Sequence, residues 1–160
     1  MTHTHRWTAA LLCSLLALCA WPVVAQDTGT TPPQTVLGPG LYVFQTRTRT
    51  ASCGDDERTG FVSSFVAPIH GVPGSRSMQM HLMNSPYWST WTITVDAHDH
   101  VIGDSFLDGS SGASRPTSHF DVTRTGDRFT GEGSRSYDAT VGGVQRRCVV
   151  TYDALLRRLD

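Results

Sequence analysis

The 160-residue sequence contains no lysine at all. Arginine carries all of its fixed positive side-chain charge, 13 residues against 14 carboxylates, for a formal net charge of −1. Without a basic excess the electrostatic footprint of a nucleic-acid binder is missing, so no nucleic-acid partner is expected. Long apolar runs are missing too. The most apolar stretch, Ala9 to Ala20, is about 12 residues long, short of the roughly 20 that a membrane-spanning helix needs. No transmembrane segment is expected. Cysteine is scarce as well, with four residues in the chain, too few nearby ligands for a cysteine-based metal site.

The short apolar run has another meaning. Arg6 precedes it and small residues lead up to Ala25, the arrangement of a secretory signal peptide with its cleavage site. We therefore expect a signal peptide at 1–25 and a periplasmic or secreted protein. A lipid anchor is not expected, because Leu12 and Leu18 precede Cys13 and Cys19 where a small residue is required. Cleavage leaves Cys53 and Cys148. An even pair in an oxidising compartment reads as a disulfide joining the first mature strand to the last.

Gln26 to Gln34 is mostly Thr, Pro and Gly and cannot bury enough surface to offset its ordering entropy. It marks a flexible linker at 26–36 ahead of a single domain at 37–160. From Leu41 the chain alternates apolar and polar residues, the period of a half-buried strand. Phe61, Ser63, Phe65, Ala67 and Ile69 share one face of a second segment. Met78, Met80 and Leu82 share one face of a third. Trp91, Ile93, Val95 and Ala97 alternate with threonines in a fourth. Val101 to Leu107, Phe120 to Arg124, Arg128 to Tyr137 and Val144 to Tyr152 complete the set, with Gly142-Gly143 as a two-residue hairpin turn. Ala154 to Leu159 is expected to form a short C-terminal helical turn. About eight strands with no helix of ordinary length predict an all-β fold. It is a small antiparallel up-and-down β-barrel, calycin-like in shape, or a sandwich, with one disulfide. A monomer is expected.

Four constellations bear on function. The first is Val101-Ile102-Gly103-Asp104-Ser105-Phe106-Leu107-Asp108-Gly109, which resembles the nucleophile block of the GDSL/SGNH hydrolases. The resemblance implies Ser105 as an ester-attacking nucleophile in an α/β fold. The family's later motifs are absent: past Ser105 there is no asparagine, and no aspartate lies three residues before His119. A serine without a base to take its proton is inert. No enzyme is expected, and Gly103 reads as a strand kink or bulge. The second is Asp96, His98 and His100, where imidazoles at i and i+2 and a carboxylate fit part of a zinc or copper shell. These residues also straddle an expected turn, where polar side chains are ordinary. No resident cofactor is expected.

The third is Tyr87-Trp88 with Trp91. Strict alternation puts Tyr87 and Trp91 on one face and Trp88 on the other. With Met80 as an adaptable neighbour they form an aromatic wall for a small apolar or amphipathic ligand. The fourth is the Asp108 to Ser118 loop. Its Ser111-Gly112-Ala113 is similar to the first loop motif of the bacterial periplasmic inhibitors of C-type lysozyme. That likeness implies a protein-binding loop carrying Ser111 and Arg115, although Ser114 stands where those inhibitors have arginine and the lysine of their second motif has no counterpart. A ligand-binding barrel is thus the leading expectation. An envelope protein-binding or inhibitor module is the alternative.

Overall fold

The computed structural model describes residues 37–53, 58–97, 100–112 and 114–159. The expected signal peptide and linker, the acids Asp55 to Glu57, and His98 lie outside the described residues. Eight strands run in sequence: β1 (Gly40–Ala51), β2 (Val62–His70), β3 (Ser77–His81), β4 (Thr90–Ala97), β5 (His100–Phe106), β6 (Thr117–Thr125), β7 (Arg128–Val141) and β8 (Val144–Arg158). Each pairs antiparallel with the next, and β8 returns to pair with β1 from Tyr42↔Arg158 to Ala51↔Val150. The result is a closed up-and-down barrel, which decides between the two all-β architectures.

Alternation sets the inside of the barrel. Tyr42, Phe44, Thr46 and Thr48 of β1 face inward and are buried, as do Met78 and Met80 of β3, Trp91, Ile93 and Val95 of β4, and Tyr152, Ala154 and Leu156 of β8. The same alternation overturns the expected C-terminal helical turn. Residues 154–158 continue β8, because Ala154 and Leu156 turn into the core while Ala154 pairs with Thr46 on one side and Gly131 on the other. Hydrogen bonding to two neighbouring strands outweighs the modest helix preference of an Ala-Leu-Leu-Arg-Arg run.

Gly142 and Gly143 have φ of 59° and 81°, the left-handed pair that a two-residue hairpin requires. Gly103 is neither kink nor bulge. Pairing runs through it without a register shift on both sides, Ile93↔Gly103 and Gly103↔Phe120. A Cβ there would overlap the Phe120 ring, so the missing side chain is what leaves room for that ring.

The two ends of the barrel differ. At the end where β1 begins, Leu37 is fully buried and the Tyr42 hydroxyl donates to the Gly38 carbonyl at 2.8 Å. Ile69, Met80, Ile93, Val101, Val122 and Leu156, all at 2% exposure or less, fill the interior between them. Trp91, Phe44 and Phe120 form the next layer, with ring centroids 5.0 to 5.6 Å apart. Beyond this aromatic layer the barrel is not filled.

At that open end Cys53 and Cys148 are disulfide-bonded, with Cα atoms 5.4 Å apart. The backbone N–H of Ser52 donates to the Val149 carbonyl at 3.0 Å beside it. On the outside of the same seam Arg49 of β1 donates to Asp153 of β8 and, at 2.8 Å, to Glu132 of β7.

Candidate functional site

Above the aromatic layer lies a cavity of about 540 Å³ that opens at the disulfide end. That volume falls within the roughly 300–1,000 Å³ of small-molecule sites. Its floor is Trp91 with Phe44. One wall is mostly apolar: Phe65 of β2, Leu82 after β3, Trp88 ahead of β4, and Leu107 after β5, with Ser63 and Ser85 among them. The facing wall is polar, formed by Thr46 of β1, Ser118 of β6, Arg135 of β7 and Tyr152 of β8. Phe61, Tyr87, Tyr137 and Asp138 form the rim.

The connection from β3 to β4 builds much of the apolar wall. Leu82 N–H donates to the Ser89 carbonyl at 2.8 Å, and Asn84 takes a φ of 61° to turn the chain between them. Trp88 is held from both sides: its N–H donates to the Ser85 hydroxyl at 3.2 Å, and its carbonyl accepts the Trp91 indole N–H at 3.0 Å. β4 starts only at Thr90, so strand alternation does not govern Trp88. It packs against the core on the cavity side, with Trp91, and not on the opposite face. Tyr87 stands at the rim, 62% exposed. Met80 is fully buried below the aromatic layer and takes no part in the lining.

The polar wall follows from register. In β7, Phe129, Gly131, Gly133 and Arg135 take the inward phase, opposite Leu156, Ala154, Tyr152 and Val150 of β8. Arg135 therefore points its guanidinium into the barrel, with its central carbon 5.5 Å from the Tyr152 ring centroid. The Tyr152 hydroxyl donates to the His119 carbonyl at 2.9 Å and lies 3.2 Å from the Ser118 hydroxyl. With the tyrosine proton given to His119, Ser118 is left to donate to the tyrosine oxygen. Burial pushes the Tyr152 phenol up to about 12, against the lowering influence of Ser118 and of the Arg135 charge. It stays neutral at any physiological pH.

Phe61, Phe65, Ser118, Arg135, Tyr137 and Tyr152 are lining residues that reading the sequence alone did not single out. An arginine in the inward phase of a strand is a legible signal. The proximity of β2, β7 and β8 around one mouth depends on closure and is not.

The other sequence constellations lie elsewhere. Ser105 faces inward, and its buried hydroxyl donates to the Thr90 carbonyl at 2.6 Å. His119 lies on the outer face, 2.8 Å from Asp104, so serine and imidazole occupy opposite sides of the sheet. His100 is also outside, between Asp121 at 2.7 Å on Nε2 and Asp96 at 3.5 Å on Nδ1. Among the described residues no group of three His, Cys, Asp or Glu side chains is placed to hold a metal ion. In the 108–118 loop, Ser111 is exposed and Arg115 stacks on the Phe106 ring at 3.2 Å. The loop is pinned by Leu107 N–H to the Pro116 carbonyl at 3.1 Å and by Arg147 to the Ser114 carbonyl.

The Asp121 hydrogen bond raises the His100 pKa over the opposing effect of burial. A raised folded-state pKa gives stability that is complete below the unfolded value of about 6.5 and is lost as pH climbs through the folded value. The stability gap between the native protein and Asp121→Asn is thus expected to be widest in mild acid and to narrow above neutrality. Urea midpoints measured from pH 5 to 9 check this, and a gap that does not change with pH would overturn it.

No family model and no curated protein matches the chain in sequence. Among solved structures, "EF1p2_mFAP2b bound to DFHBI" is similar over 79% of this chain and 98% of its own, at 13% identity and a TM-score of 0.44. At that distance the site has to be read from its own side chains.

Proposed function

We propose that the barrel is a binding module for a small amphipathic molecule held in its open end, acting in a periplasmic or extracellular setting. The observation that carries this reading is the cavity of about 540 Å³ over the Trp91 floor. A barrel built only for stability would gain by filling that space, since each unfilled methyl-sized void costs on the order of 1 kcal/mol. Here five of the strands, β1, β2, β4, β7 and β8, place aromatic side chains around it instead. A disulfide and the Arg49 bridges fix its mouth, and such preorganisation lowers the entropic cost of binding.

Titration of the mature protein with a neutral naphthylamine dye tests the reading. Saturable dye fluorescence is expected, with matching quenching of tryptophan emission. Trp88→Ala should weaken the dye by about tenfold or more, because covering one large side chain contributes about 1.5–3 kcal/mol. Linear, non-saturating dye response in the native protein would remove the pocket from consideration. Attention would then move to the 108–118 loop as the surface of a protein-binding module.

A further inference from the structure

Inside the rim, the hydroxyls that line the cavity belong to Thr46, Ser63, Ser85, Ser118 and Tyr152. The last three are engaged. Ser118 and Tyr152 bond to one another and to the His119 carbonyl, and Ser85 accepts the Trp88 N–H. The side chains of Thr46 and Ser63 have no hydrogen-bond partner among the described residues. They stand opposite one another in the β1–β2 register, one inward position above the pair Phe44↔Phe65. We infer that these two hydroxyls bind an uncharged acceptor oxygen, the carbonyl or alcohol oxygen of an amphiphile whose apolar body lies against Trp88 and Trp91. This rests on the pocket reading above and names the headgroup.

Thr46 carries most of the argument. It is 5% exposed, and a hydroxyl at such a depth costs stability unless something bonds to it. Among the described residues no fully buried side-chain oxygen lacks a partner, so the unpaired Thr46 hydroxyl opens onto the cavity it lines. Directly opposed residues on neighbouring strands hold their Cβ atoms about 4.5–5.5 Å apart. One ligand oxygen between them can therefore accept from both hydroxyls, each at about 2.7–2.8 Å. The charged groups of the lining are occupied elsewhere: Arg135 is engaged in an interaction of its own, and Asp138 pairs with Arg147 at 3.0 Å. What this pair of side chains offers a ligand is neutral, and two neutral hydroxyls do not offset the cost of drying a full charge. A wholly apolar ligand would strip water from both without replacing its bonds. The pair also sits where the two walls meet, Thr46 on the polar side and Ser63 among the apolar residues. One molecule can thus meet the hydroxyls with its head and the indoles with its body.

Two probes differing by one group test this: 1-phenylbutan-1-one, and butylbenzene, which has a methylene in place of the carbonyl. Each displaces the neutral dye from the native protein and from the double variant Thr46→Val/Ser63→Ala, with the dye affinity measured in both. The double variant is expected to bind the ketone about tenfold more weakly than the native protein does. It should bind the hydrocarbon as well or better. Comparing each probe with itself across the two proteins removes the difference in their solubility. If the dye binds but the variant weakens both probes alike, or neither, the headgroup inference falls and the pocket reading stands. If neither dye nor probe binds the native protein, both fall together. Thr46→Val alone should leave the urea midpoint unchanged or raise it, since it removes an unpaired hydroxyl at nearly constant shape. A lowered midpoint would mean that the hydroxyl has a structural partner, and would overturn the inference. Should the double variant not fold, the ketone-to-hydrocarbon comparison in Thr46→Val decides, with a loss of about fivefold expected for the ketone alone.

Discussion

Replacing Cys53 and Cys148 together by serine is expected to lower stability by up to about 4.7 kcal/mol, the chain-entropy value for a closed loop of this length. The sequence separation is 95 residues, so the cross-link denies the unfolded chain a large share of its conformations. Cys148 is fully buried opposite Tyr137, and a serine hydroxyl there would add a desolvation cost. The seam itself would persist. Hydrogen-bonded pairing between β1 and β8 continues from Ala51 back to Tyr42, and the Arg49 bridges lie outside it. The reduced protein should therefore fold to the same barrel with a lower midpoint. Urea denaturation of the double variant, and of the native protein with and without reductant, measures the difference. A loss below about 1 kcal/mol would mean that the unfolded chain is already compact enough for the link to change little.

Trp91→Ala is expected to cost about 3–5 kcal/mol, the range for removing a buried large aromatic. Trp91 is 2% exposed and touches both other rings of the central layer. It also supplies the N–H that the Trp88 carbonyl accepts. Truncation would join the cavity to the packed end and leave that carbonyl unpaired. The surrounding strands are hydrogen-bonded on both sides, so they cannot collapse into the space. Loss of stability should come with loss of dye binding. Trp88→Ala, at a half-buried position outside the strands, should reduce dye binding with a smaller change in midpoint. Equal stability losses for the two variants would contradict the division into a structural floor and a lining wall.

Much of this architecture could be read before any coordinates, for a physical reason: in a barrel whose interior is apolar, burial alternates with period two, and most strands here keep that alternation. Trp91-Ile93-Val95 and Met78-Met80 announced their face directly. So did the disulfide, because the other two cysteines precede the expected cleavage site. The helical turn at the C-terminus was misread because Ala154 to Arg158 has local helix preference, and only closure against β1 turns it into strand. Gly103 was misread for a similar reason: the ring it accommodates, Phe120, is 17 positions away and becomes its neighbour through pairing. Trp88 escaped strand logic by lying two residues before β4. The polar wall was the hardest part to see, since Thr46, Ser118, Arg135 and Tyr152 lie on four strands far apart in sequence and meet only around the mouth.

The pairing of β1 with β8 also fixes an order of events in time. A chain made from its N-terminus presents Gly40–Ala51 long before Val144–Arg158 exists. Throughout that interval one edge of β1 has no partner within the molecule, and an unpaired edge invites pairing with other chains. Contacts of such long sequence separation are also the slowest to form. The last strand to be synthesised is therefore the one that ends this exposure, and the Cys53 thiol must stay available until Cys148 arrives.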